Sequence, residues 1–183
     1  IQIIETTDHE AVRELVQLEG KVDLIIPRGG EALIKAVSEQ ARVPVIKHYK
    51  GVCHVYVDES ANMEMALKVV ENAKCQRPGV CNAMETLLIH EKVAFEFLPK
   101  LSTRFREIGV ELKGDSAAMS IVPEMKQATE DDWYAEYLDL ILAVRVVPSA
   151  KAAIEHINKY GSRHSDAIIA ESENVQKIFL REV

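Results

Sequence analysis

The 183-residue sequence has no apolar run near the roughly 18 residues that a membrane-spanning helix needs. Its first residues also lack the charged-then-apolar layout of a secretory signal. Positive charge is in short supply: 22 basic residues face 29 acidic ones, for a net charge of −7, and no basic run is long enough to track a phosphate backbone. Nucleic acid is therefore not an expected partner, and neither is a membrane. There are only three cysteines, an odd number with no Cys-x-x-Cys pair, which argues against a disulfide framework or a structural zinc site. No metal is expected, and free thiols point to a reducing compartment, the cytoplasm. Aromatic residues make up 5% of a chain that is 48% hydrophobic, so the core must be built from aliphatics, as in α/β proteins. There is no internal repeat and no low-complexity tract.

What is present alternates between short apolar runs and helical periodicity. Residues 1–5 read as a strand through Ile1, Ile3 and Ile4, and Thr7-Asp8 opens a helix through Ala11, Leu15 and Leu18 that Gly20 ends. Val22–Ile26 is a continuous apolar run, followed by Pro27-Arg28-Gly29-Gly30, a helical pattern through Ala32 and Val37, and another strand at Val43–Ile46. This βαβαβ order predicts a doubly wound parallel sheet over residues 1–50, with a lobe boundary near residue 50. The second lobe, residues 51–183, is also expected to be α/β. Its predicted strands are 52–57, 110–112, 138–147 and 166–170. Its predicted helices are 60–73, 93–108 (stopped by Gly109), 116–121, 149–160 and 174–180.

One turn carries the chemistry. The helical pattern that ends at Lys74 is broken by Gln76–Val80, with its Pro-Gly pair, and Ala83, Leu87 and Leu88 read as a second helix beginning just after Cys81. At a helix N-terminus unpaired N–H groups and the helix dipole can lower a thiol pKa from about 8.5 to roughly 3.5–7.5, making Cys81 a candidate nucleophile. The alternative is a small buried hydrophobe. Lys74 and Arg77 flank the turn, where they could meet an anionic substrate; they read equally as a helix C-terminal cation and a turn-surface charge. Glu85, placed about one turn inside the expected helix, would complement its dipole or hydrogen-bond within the turn. His48 and His54 are possible partners for Cys81, or ordinary core and surface histidines, and Cys53 reads as packing. The Arg28-Gly29-Gly30 turn, at a strand end and a helix head, suits the approach of a dinucleotide; it is also a common tight connection.

Asn72–Leu88 resembles the nucleophile segment of the gamma-glutamyl phosphate reductase family, within the aldehyde dehydrogenase superfamily. The matching residues are Asn72-Ala73-Lys74, Gln76-Arg77-Pro78, Cys81-Asn82 and Glu85-Thr86-Leu87-Leu88. Asp23–Gly30 and Gly51–Ser60 are similar to that family too, in the same order, and the resemblance runs over essentially the whole chain. It implies that Cys81 is the nucleophile and that Cys75 is not catalytic. It also implies that Arg28, Gly29 and Gly30 lie against a nicotinamide cofactor, NADP. The family is much larger than this chain, so the sequence reads as the middle of such an enzyme: residues 1–50 the C-terminal part of a dinucleotide-binding domain, residues 51–183 the nucleophile-bearing catalytic domain, and the full-length protein a homo-oligomer.

The implied reaction is NADPH-dependent reduction of gamma-glutamyl phosphate to glutamate-5-semialdehyde through a cysteine thioester, a step of proline biosynthesis. Hydrolytic relatives carry a glutamate in the segment matching Lys47–Gly51, which here has no carboxylate. That departure favours an acylating enzyme. A non-acylating aldehyde dehydrogenase, or an inactive fragment or binding module of such an enzyme, stays open as an alternative.

Overall fold

A computed structural model describes residues 2–47 and 50–183. The chain divides into two compact units, Ile1–Lys50 and Gly51–Val183.

In the first unit, α1 (His9–Leu15) starts where Asp8 accepts a hydrogen bond from the Glu10 N–H, and α2 (Glu31–Gln40) starts at Gly30. The expected strands 22–26 and 43–46 do meet in parallel, but only as a single bridge, Ile25 to Val45. Among the described residues of the expected strand 1–5, none is in a strand. The reason is physical: a parallel strand needs ladder partners, and Ile3 (87% exposed), Ile26 and Ile46 have their side chains in the open.

The second unit is a six-stranded sheet in the order β4-β3-β5-β2-β1-β6. The strands are β1 (Cys53–Val57), β2 (Met84–His90), β3 (Glu111–Gly114), β4 (Lys126–Gln127), β5 (Ile141–Val147) and β6 (Asp166–Ile169). Every pairing is parallel. The remaining helices are α3 (Met63–Cys75), α4 (Glu91–Ile108), α5 (Ser116–Ile121), α6 (Glu130–Trp133), α7 (Ala150–Tyr160) and α8 (Glu173–Glu182). This is the α/β architecture expected for residues 51–183, and the parallel sheet expected over residues 1–50 is found here instead.

Side chains alternate across the central strands. Val55, Val57, Leu87 and Ile89 pack with Val70 of α3, Phe97, Leu101 and Phe105 of α4 and Ala118 of α5. Tyr56 and Leu88 pack on the other face with Ile154 and Ile157 of α7 and Phe179 of α8. All residues of β1 and β2 are buried, as expected of strands covered on both faces. Helix ends follow local chemistry: Ser149 caps α7 through the Ala152 N–H, and Gly109, at φ 88°, ends α4 in the left-handed conformation that glycine adopts without cost.

Candidate functional site

The helix expected after Cys81 is a strand. Met84–His90 is β2, at the centre of the sheet, so Cys81 lies in the turn leading into a strand and has no helix N-terminus beside it. Seven consecutive buried positions decide this: Met84-Glu85-Thr86-Leu87-Leu88-Ile89-His90 can be covered on both faces in a central strand, and the spacing of Ala83, Leu87 and Leu88 only imitates a helical stripe. Dipole activation of the thiol is withdrawn with the helix.

The turn itself falls where expected. Helix α3 ends at Cys75, the chain reverses through Gln76–Val80, and the Ala83 N–H closes on the Val80 carbonyl at 3.0 Å. Cys81 is exposed, whereas Cys53 is buried and Cys75 half-buried. Burial, with the Asp166 carboxylate nearby, pushes the Cys53 thiol up to about 12, and burial also raises that of Cys75. Cys81 is thus the most exposed of the three cysteines.

Its backbone is held closely. The Cys53 thiol, at the first position of β1, donates to the Cys81 carbonyl at 3.2 Å. Gly51 lies flat against the same peptide: a Cβ there would run into the Cys81 carbonyl oxygen and carbon and come within 2.9 Å of its Cα. No residue but glycine fits. The Gly51 N–H in turn donates to Glu136 Oε1 at 2.7 Å.

Lys74 does not face a substrate. Its side chain is fully buried and its ammonium lies 2.6 Å from Glu85 Oε2, also fully buried, so the charge is committed inside the core. Glu85 is accordingly not a helix-dipole partner. Its other oxygen accepts from the Leu138 N–H at 3.2 Å, and burial raises its pKa although Lys74 opposes the shift. Arg77 is exposed in the cysteine turn, free to meet an anion.

His48 lies outside the described residues. His54 is buried with Nδ1 3.0 Å from Asp166 Oδ1, which commits it to β6 and not to Cys81. Arg28, Gly29 and Gly30 belong to the first unit and are exposed at the head of α2, whose ten residues leave their first N–H groups at this open turn. A Cβ on Gly30 would meet nothing, so its backbone is open to close approach. An open helix head of this kind suits an anionic group such as a phosphate.

Sequence reasoning missed Gly51, Glu136 and Leu138 as parts of the cysteine site, and it placed Glu85 there without its buried partner Lys74. The spacing between them is long-range, and only the Gly51–Ser60 similarity could have pointed to Gly51. Among the described residues no group of three or more histidine, cysteine or acidic side chains is arranged to hold a metal, and no helix is long and apolar enough to cross a membrane.

A model of the aldehyde dehydrogenase family matches residues 1–142. Over its full length the chain is 53% identical to the gamma-glutamyl phosphate reductase of Geobacter metallireducens, and it spans 44% of that relative. The crystal structure of gamma-glutamyl phosphate reductase from Thermotoga maritima superposes on 98% of this chain, and on 44% of that one, with a TM-score of 0.95 at 49% identity. An acetylating aldehyde dehydrogenase from Geobacillus thermoglucosidasius, at 20% identity and TM-score 0.67, covers 92% of this chain and 46% of its own and shares the fold. The chain therefore spans less than half the length of these relatives.

Proposed function

Because the chain belongs to the aldehyde dehydrogenase family, we propose that it is the nucleophile-bearing part of an NADP-dependent gamma-glutamyl phosphate reductase acting in proline biosynthesis in the cytoplasm. The observation that carries this reading is Cys81. It is the exposed thiol in a turn whose peptide is seated against Gly51 and Cys53, and it lies within a chain 53% identical to a reductase of that name.

Cys81, as thiolate, attacks the acyl carbon of gamma-glutamyl phosphate; the acyl C–O bond breaks and phosphate leaves with its electron pair, giving a thioester. The Cys81 backbone N–H is suited to stabilise the developing oxyanion, and the Gly51 and Cys53 contacts hold the Cα and carbonyl of the same residue in place before reaction. Arg77 supplies an exposed cation for the anionic substrate. NADPH, when bound, supplies the hydride that converts the thioester to a hemithioacetal, which releases Cys81 and glutamate-5-semialdehyde. Residues Arg28, Gly29 and Gly30 would hold the cofactor at the head of α2, with residues 1–50 forming the C-terminal part of its domain and residues 51–183 the catalytic domain. The full-length protein is expected to be a homo-oligomer.

One observation favours a second reading, a non-acylating aldehyde dehydrogenase. The stretch 47–51 carries no carboxylate of its own, but the fold brings the Glu136 carboxylate to the Gly51 N–H, next to the Cys81 peptide. The acylating reading holds that this oxygen is occupied as a structural acceptor. Replacing Cys81 by Ser in the full-length protein tests the reading directly: turnover should vanish while NADPH affinity stays near that of the wild type, and retained turnover would remove Cys81 as nucleophile.

A further inference from the structure

We infer that Glu85, neutralised by Lys74, is a positioning residue for the Cys81 turn, acting through the segment 136–138; the inference rests on Cys81 being the nucleophile. Three observations converge on it. The first is the pair itself, two fully buried side chains 2.6 Å apart, one from the last turn of α3 and one from the entry of β2. A buried ion pair is weak evidence for stability, because apolar side chains of similar volume often fill such a space as well or better. Something other than stability is then the reason to keep a carboxylate there.

The second observation is what the carboxylate holds. Its Oε1 accepts from the Leu138 N–H at 3.2 Å. Leu138 has φ 52°, a left-handed conformation that a branched residue without a partner seldom keeps. The bond to Glu85 fixes that conformation.

The third is where the held segment leads. The Leu138 carbonyl sits opposite Gly79, two residues before Cys81, where an added Cβ would be in ordinary contact at 3.7 Å. Two residues before Leu138, Glu136 accepts from the Gly51 N–H, and Gly51 is pressed onto the Cys81 peptide. Two routes thus run from one carboxylate through 136–138 to the turn that bears the thiol. Sequence neighbours supply a third link, since the strand register shifts between Cys53 and His54 opposite Met84 and Thr86, placing the irregularity at Glu85 itself.

The test separates holding from filling. In a Lys74→Met background, Glu85→Gln keeps an acceptor for the Leu138 N–H without a buried charge, whereas Glu85→Leu keeps only the volume. Both double variants are made in the full-length protein. Turnover, KM for NADPH and melting temperature are measured beside wild type and Cys81→Ser. The expected result is that the Gln variant keeps kcat close to wild type, while the Leu variant, equally well folded, loses about ten- to a hundredfold in kcat with KM for NADPH unchanged, the scale of a misplaced reacting group. Wild-type kcat in the Leu variant, or equal losses in both, would overturn the positioning role and leave the nucleophile assignment standing; an active Cys81→Ser would overturn that assignment instead. A second measurement does not depend on either variant folding. In the unsubstituted protein the Leu138 amide should resist hydrogen exchange together with the Ala83 amide, and exchange of Leu138 at the rate of an unstructured peptide would overturn the proposal.

Discussion

The thiol of Cys53 donates a hydrogen bond to the carbonyl oxygen of Cys81 at 3.2 Å, so two of the three cysteines meet through sulfur and backbone. One is buried at the start of the strand β1, and the other is open to solvent. Their chemistry should differ accordingly.

Iodoacetamide at pH 8 should place a single label per folded chain, on Cys81. Burial raises Cys53 to about 12 and also raises Cys75, so neither offers much thiolate at that pH. Peptide mass analysis gives the stoichiometry and the position. Labelling of Cys53 in the native protein as fast as Cys81 would contradict the burial argument.

Gly51→Ala should be costly. The new methyl has no space, since backbone atoms of Cys81 occupy it and cannot rotate away as a flexible side chain could. Overpacking of this kind costs about 1–3 kcal/mol. Urea unfolding measures it, and a stability equal to wild type would show that the Gly51–Cys81 contact leaves room for a methyl group.

Lys74→Met leaves the Glu85 carboxylate buried and unpaired, a change that costs about 3–5 kcal/mol at neutral pH. Burial already places the folded-state pKa of Glu85 above its ordinary value of 4.5, and losing Lys74 removes the main opposing influence. The folded form then keeps a proton that the unfolded chain releases. The associated stability is complete below about 4.5 and is lost as pH rises through the raised folded value. The deficit of Lys74→Met relative to wild type should therefore be smallest in acid and grow toward pH 7. A deficit independent of pH would be the contrary result.

How much of this could be read from the sequence depends on the range of the determining contacts. The α3, α4, α5 and α7 helices and the β1, β3 and β5 strands were legible because periodicity, Gly109 and the Ser149 cap act within a few residues. The β2 strand was not, because Ala83, Leu87 and Leu88 match a helical spacing, and only the neighbours β1 and β5 decide that the run is a central strand. Lys74 illustrates the same limit at the site: nothing local distinguishes a surface cation at a helix end from one turned inward to a carboxylate eleven residues on. The position of Cys81 was legible in its turn and in the family resemblance. Its surroundings, Gly51, Glu136 and Leu138, were not, since they come from segments 30 to 57 residues away.

His156 should make the fold acid-sensitive. It is buried, and burial lowers its pKa from 6.5 to about 3; Arg145 lies 2.8 Å from its Nδ1, which as the acceptor leaves the proton on Nε2 of a neutral ring. Below about 6.5 the unfolded chain takes up a proton that the folded form refuses. Stability is therefore full above 6.5 and falls as pH drops toward 3, by up to several kcal/mol. His156→Gln, which keeps an acceptor for Arg145, should flatten that part of the profile. An unchanged acid limb, measured by urea unfolding at several pH values, would assign the sensitivity to other groups.

In the reverse of the proposed reaction, oxidation of the aldehyde leaves a thioester on Cys81 that phosphate resolves. This step is tested most directly by following NADP reduction by the full-length protein with glutamate-5-semialdehyde, with and without phosphate, beside the Cys81→Ser variant. The expected result is activity that depends on both phosphate and Cys81. Activity that persists without phosphate would contradict it and point to a hydrolytic aldehyde dehydrogenase.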